Sequence, residues 1–215
     1  MTAEVVRDDE TGRAAAVRVL RAGGLIALPT DTVYGIAVDL AAAGGIERLF
    51  EAKRRPADRA VVLLLADAGQ AAGLAEWPPA AAVLAEAFWP GGLTLVLPQR
   101  PDVALPTALT GNRPTIGLRV PDHPSPRAIA IGLGPLPVTS ANVSGLPEAG
   151  SADEILAQLG DAIDLILDGG PSRGGPASTV VDCTVAQVRI LRHGAIAGDA
   201  IAACLRTASL PEPTP

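Results

Sequence analysis

Lys53-Arg54-Arg55-Pro56-Ala57-Asp58-Arg59-Ala60-Val61-Val62-Leu63-Leu64-Leu65 joins two kinds of local structure. Upstream, Ile46, Leu49 and Phe50 recur at helical offsets, which predicts a helix over 46–54 with the first cations at its end. Downstream, Val61 to Leu65 is an apolar run of strand length. The same alternation continues outward in both directions. A helix is predicted over 11–22, closed by Gly23-Gly24, then a short strand Leu25 to Leu28 stopped by Pro29. Beyond the cations come helices over 67–76 and 79–88, separated by Pro78-Pro79 and ended by Pro90-Gly91-Gly92. Strands are predicted at 93–97 and 115–120, and helices at 127–133 and 153–159. Three further strands fall at 163–167, 178–183 and 187–192, before a last helix over 198–206. This pattern predicts one α/β domain over 1–207 with a largely continuous sheet, followed by a flexible tail at 208–215.

Charge makes the same stretch a candidate site. Only 17 Lys and Arg face 23 Asp and Glu, for a formal net charge of −6, yet four cations fall within seven residues. A solvated helix end, where cations complement the dipole, accounts for them in one way. Convergence on an anionic ligand accounts for them in another. The acidic balance argues against a surface that grips nucleic acid everywhere, and five aromatics in 215 residues argue against a base-stacking platform. Cys183 and Cys204 lie in no metal-ligand spacing and read as small core residues of a reducing compartment. The first ten residues lack signal-peptide character, and no apolar stretch approaches the roughly 20 residues that span a bilayer. A soluble, cytoplasmic protein is expected.

Three loops next to predicted strands carry polar chemistry, as α/β folds usually arrange it. In Pro29-Thr30-Asp31-Thr32-Val33-Tyr34-Gly35, Thr30 and Asp31 read best as a local turn, whereas Thr32 and Tyr34 are better placed for a ligand. Ser140-Ala141-Asn142-Val143-Ser144-Gly145 offers small hydroxyl and amide groups, or a helix cap. Gly169 to Thr179 is glycine-rich and forms either an anion nest or a plain connection. The P-loop and dinucleotide fingerprints are absent.

Taken in order, these segments resemble the YrdC-like family of threonylcarbamoyl-AMP synthases. The resemblance also rests on Phe88-Trp89-Pro90-Gly91-Gly92-Leu93-Thr94, on Thr115 with Arg119, on Ser178 to Asp182, and on Leu191-Arg192-His193-Gly194. It covers about residues 10–200 and implies a twisted, open mixed sheet flanked by helices around a deep, positively lined groove. The activity it implies joins L-threonine, bicarbonate or CO2, and ATP into threonylcarbamoyl-adenylate and pyrophosphate. This is the first step toward N6-threonylcarbamoyladenosine at tRNA position 37.

The resemblance assigns roles residue by residue. Lys53 and Arg55 are the expected catalytic cations, and Ala at either is expected to abolish adenylate formation without unfolding the chain. Arg55, Arg59, Thr115, Ser140, Asn142 and Arg192 match nucleotide contacts. Thr32, Arg119 and Ser178 match threonine contacts, Arg119 as the carboxylate clamp. Magnesium is expected to arrive on ATP, held by phosphate oxygens and water rather than by a protein cage. Arg59 stands where many members have Lys or Asn, and Leu64 where some place a His. A further nucleotide contact is expected at Gly150 or Ser151. Expected partners are the small substrates, a downstream threonylcarbamoyl-transferase complex, and tRNA or double-stranded RNA held through its phosphates. No membrane partner is expected.

Overall fold

Alternation at a period of two sorts the apolar residues into two layers. Strand β2 (Ile26–Leu28) sends Ile26 and Leu28 to one side and Ala27 to the other. Strand β8 (Leu165–Asp168) does the same with Leu165 and Leu167 against Ile166. Helix α1 (Glu10–Arg21) covers the first layer with Ala16 and Leu20, and helix α6 (Pro124–Leu133) adds Ile129. The larger layer takes Ile46, Leu49 and Phe50 from α2 (Gly45–Ala52) and Ile155 and Leu159 from α7 (Ala152–Leu159). Helices α4 (Pro79–Phe88) and α8 (Gly198–Thr207) extend it through Leu84, Ile201 and Leu205. The computed structural model describes residues 3–54, 61–172 and 174–214, so Arg55 and Arg59 lie outside the described residues.

Between the layers runs one mixed sheet of ten strands among the described residues. Its order is β1 (Glu4–Arg7), β8, β2, β3 (Gly35–Ala37), β7 (Leu136–Ser140), β4 (Val62–Leu64), β6 (Thr115–Arg119), β5 (Leu93–Pro98), β9 (Thr179–Asp182) and β10 (Arg189–Arg192). Pairings β1–β8, β2–β8, β4–β6 and β5–β9 are parallel, and the others antiparallel. Gly35 permits the close approach of β3 to β7, since a Cβ there would lie 2.5 Å from a Val138 methyl. The open mixed sheet with flanking helices is the fold class expected from the sequence. Among the described residues no helix is long and apolar enough to cross a membrane.

Several boundaries differ, each for a physical reason. Strands β1 and β3 and the short helix α5 (Thr107–Thr110) carry no clear periodicity of their own and form through their neighbours. The helix predicted over 46–54 ends at Ala52, because Lys53 caps it and Arg54 turns to φ 50°. The helix predicted over 67–76 is only α3 (Ala68–Ala72), closed by Gly73. The stretch expected as a flexible tail is tied down. Thr214 donates to the Val188 carbonyl at 2.9 Å and accepts from the Ile190 amide at 3.2 Å, while Glu212 pairs with Arg206 at 3.0 Å. Strand β10 is the sheet's last strand, and its open hydrogen-bonding edge recruits this extended segment.

Candidate active site

The rule that builds the core also builds the site. In β5, Leu93, Leu95 and Leu97 enter the core, which turns Thr94 and Val96 to the opposite face. In β6, Ile116 and Leu118 are core, so Thr115, Gly117 and Arg119 share that face. The register sets Leu64 beside Arg119, Gly117 between Val62 and Val96, and Thr94 beside Val180. These residues floor a cavity of about 430 Å3, a size typical of small-molecule sites. Arg113, Arg119 and Arg192 line it against a single carboxylate, Glu148, among the described residues.

Arg119 is only 6% exposed and fully oriented. Its Nε donates to the Gly91 carbonyl at 3.0 Å, one terminal nitrogen to Thr32 Oγ1 at 3.0 Å, and the other to Asp31 Oδ1 at 2.7 Å. Burial pulls the guanidinium below the ordinary arginine range, and the Asp31 carboxylate pulls it back up. Asp31 thus departs from the local turn expected of it. Thr30 keeps that role, donating to the Val33 carbonyl at 2.6 Å and accepting from the Thr32 amide at 3.2 Å. A guanidinium has five N–H donors, so three bonds leave two for a ligand.

Ser178 lies across the floor, just before β9. Its Oγ is 2.8 Å from Thr94 Oγ1 and accepts from an Arg192 terminal nitrogen at 2.9 Å. Arg192 Nε also donates to the Ser178 carbonyl at 2.9 Å. Burial lowers the Arg192 pKa, and Glu148 opposes that shift. The backbones meet closely here because residue 194 is glycine: a Cβ would fall 2.2 Å from the Ala177 carbonyl oxygen.

Lys53 is 2% exposed and points into the protein. Its Nζ donates to the Ser140 carbonyl, to the Asn142 carbonyl at 2.7 Å and to Asn142 Oδ1 at 3.0 Å. Asn142 Oδ1 accepts from Ser140 Oγ at 2.7 Å, and Asn142 Nδ2 donates to the Leu146 carbonyl at 2.7 Å. The ammonium therefore organises the 140–146 turn that presents Ser140 to the cavity.

Tyr34 works comparably. Its hydroxyl donates to the Gly170 carbonyl at 2.6 Å and accepts from the Gly169 amide at 3.0 Å, which ties its loop to the start of the glycine-rich segment. Burial pushes the phenol above its ordinary pKa, the Gly169 amide pulls it back, and Asp168 and Asp8 add to the rise.

Of the residues singled out from the sequence, Thr32, Thr115, Arg119, Ser140, Ser178 and Arg192 line the one cavity. Lys53 and Asn142 stand behind it as supports, and Arg55 and Arg59 are outside the described residues. Neither Gly150 nor Ser151 lines the cavity; Ser151 caps α7 through the Glu154 amide at 3.3 Å. Glu148, from the same loop, does line it, as do Thr94, Arg113 and Leu64. Thr94 carried a readable signal, since a polar residue alternates with leucines in its strand. Arg113 and Glu148 sit in loops without periodicity and had none. No group of three or more metal-ligating side chains occurs among the described residues.

Fold and cavity together define an α/β domain with an arginine-lined small-molecule site. The family model Sua5/YciO/YrdC, described as telomere recombination, matches residues 18–194, and the chain belongs to this family. A Mycobacterium tuberculosis protein named as a candidate threonylcarbamoyl-AMP synthase is 40% identical over 195 residues, covering 90% of this chain and 89% of that one. The Bacillus subtilis threonylcarbamoyl-AMP synthase is 37% identical over 200 residues, covering 92% of this chain. Pyrococcus abyssi Sua5 complexed with L-threonine superposes with a TM-score of 0.87 at 34% identity and covers the whole chain. This chain spans 57% of the B. subtilis protein and 62% of the P. abyssi chain.

Proposed function

We propose that the protein is a threonylcarbamoyl-AMP synthase, forming threonylcarbamoyl-adenylate and pyrophosphate from L-threonine, bicarbonate or CO2, and ATP. Its product would feed N6-threonylcarbamoyladenosine synthesis at tRNA position 37. The observation that carries this reading is the single cavity around Thr32, Thr115, Arg119, Ser140, Ser178 and Arg192. The names of the relatives and the threonine-bound P. abyssi structure support the substrate class.

In this reading Arg119 receives the threonine carboxylate with its two remaining N–H groups, already aimed by Asp31, Thr32 and Gly91. Thr32 and Ser178 hold the rest of the amino acid. The threonine amine adds to CO2 to give a carbamate. A carbamate oxygen then attacks the α-phosphorus as the bond to the leaving pyrophosphate breaks. Both reactants are anions, so the protein's work is neutralising charge and aligning the attack. Arg192 and Arg113 supply described positive charge; Arg55 and Arg59 remain proposed phosphate contacts. Thr115 and Ser140 face the nucleotide, with Asn142 and Lys53 holding Ser140 in place. Lys53 is thus a positioning residue here rather than a group on the reacting atoms. Magnesium enters as part of the ATP substrate, coordinated by phosphate oxygens and water.

We place this work in the cytoplasm, with a downstream threonylcarbamoyl-transferase complex as recipient. Contact with tRNA or double-stranded RNA through phosphates belongs to the same proposal and would weaken steeply with salt. The test is pyrophosphate release from magnesium-ATP and bicarbonate with and without L-threonine. Release that needs threonine is expected. Threonine-independent release, or none, overturns the reading.

A further inference from the structure

A second cavity, of about 440 Å3, lies apart from the one described above. Both tryptophans of the chain line it. Trp77 and Trp89 meet edge to face, with ring centroids 6.0 Å apart and planes at 83°. Around this apolar wall stand three charged residues: Arg127 of α6, Asp67 before α3 and Glu86 of α4. Arg127 Nε donates to the Ala66 carbonyl at 2.8 Å, and its terminal nitrogens enter no hydrogen bond or ion pair among the described residues. Asp67 uses Oδ1 to cap Gln70 at 3.1 Å, and Glu86 is exposed.

This combination selects one chemistry. A phosphate or simple carboxylate would meet two like charges, and a simple cation would meet the guanidinium. A purely apolar ligand would leave all three charged groups unanswered. A zwitterion with a hydrophobic body satisfies each part. We propose that this cavity is a binding site for a free L-α-amino acid with a large apolar side chain. Its carboxylate pairs with Arg127, its ammonium faces Asp67 and Glu86, and its side chain packs on Trp77 and Trp89.

The cavity is placed to influence the site across the sheet. Val120 lines it, while the preceding residue, Arg119, lines the other cavity. Gly91, two residues after Trp89, donates to the Val120 carbonyl at 2.9 Å and accepts from Arg119 Nε at 3.0 Å. A ligand against Trp89 and Val120 therefore bears on the support of Arg119. Resting on the synthase reading, this coupling changes threonine affinity.

Because the two tryptophans are confined to this cavity, their emission reports its occupancy without turnover. L-leucine titrated in saturating L-threonine should still give a saturable change in emission, its midpoint displaced from that without threonine by the same factor by which bound leucine displaces threonine affinity. N-acetyl-L-leucine and L-leucinamide, each missing one charge, and D-leucine should bind about tenfold more weakly or worse, the value of one charge-assisted contact. Arg127→Met should lose the signal while melting as the parent does; if it melts early, Glu86→Lys, on the exposed face of α4, should weaken binding equally. Absence of saturation, a leucine midpoint that rises without limit as threonine is raised, or equal binding of the capped leucines overturns the site. Calorimetric threonine affinity unchanged by bound leucine overturns the coupling. None of these readouts requires synthase activity, so each stands apart from the failure of that reading.

Discussion

Lys53→Met removes a buried charge while keeping length and bulk, and so separates two roles for this cation. In the structure its Nζ serves the Ser140 and Asn142 carbonyls and Asn142 Oδ1. The Oδ1 atom would keep its bond from Ser140 Oγ and the Ser140 carbonyl its bond from the Asn142 amide at 3.1 Å, but the Asn142 carbonyl would lose its ammonium donor. That one orphaned carbonyl costs about 1–3 kcal/mol. Relief from burying an ammonium and the packing of methionine offset part of this. The net expectation is a loss of about 1–2 kcal/mol, which for a chain of this size lowers the melting midpoint by roughly 2–8 °C. Thermal unfolding checks the stability. Steady-state pyrophosphate release checks the site: KM for ATP should rise more than KM for threonine, because the loosened turn carries Ser140. A variant that melts with the parent yet makes no adenylate would refute the argument and return Nζ to the reacting groups.

Other expectations follow from the same geometry. Tyr34→Phe strips partners from the Gly169 amide and the Gly170 carbonyl and should destabilise by about 1–3 kcal/mol in denaturant titration; an unchanged midpoint counts against the latch. Burial would raise the Asp182 pKa, but bonds from Thr184 and Arg189 outweigh it and hold the carboxyl below its ordinary value. Its contribution to stability is therefore present above the unfolded carboxyl's pKa, about 3.9, and is lost as pH falls through the lower folded value. Asp182→Asn should consequently be less stable than the parent near neutrality, with the gap closing in acid; a constant gap argues otherwise. Burial, with Asp182 adding, pushes the Cys183 thiol up to about 12. A thiol reagent at neutral pH should reach the half-buried Cys204 first and Cys183 only on unfolding, whereas equal native rates would contradict this.

What the sequence conveyed was mostly local. Helix α4 was legible because Pro79 opens it and Pro90 follows its end. Strands β5 and β6 were legible from their apolar runs, and β6 supplied Thr115 and Arg119. Residues whose roles are set by distant partners were harder. Asp31 lies in a stretch rich in turn formers, yet its carboxylate goes to Arg119, 88 positions away. Lys53 belongs to an evident charge cluster, but its ammonium turns inward to a loop 87 to 89 positions away. Charge density in a sequence marks where cations are, not which way they face. The family resemblance supplied what periodicity could not: that Thr32, Ser178 and Arg192 meet on one surface.

Two arginines of that surface, Arg119 and Arg192, have unequal mechanical footing. Arg119 belongs to an interior strand, flanked by β4 and β5 and held by three hydrogen bonds. Arg192 ends the outermost strand, where pairing with β9 is interrupted by a register shift between Ile190 and Arg192. Outer strands open by local fluctuation far more readily than interior ones. The cavity accordingly has a stiff wall at Arg119 and a compliant one at Arg192. Amide exchange should be slow along β6 and quicker along β10, except at Ile190, whose amide donates to the Thr214 carbonyl. An incoming ligand would meet Arg119 already set and would draw Arg192 into register around itself.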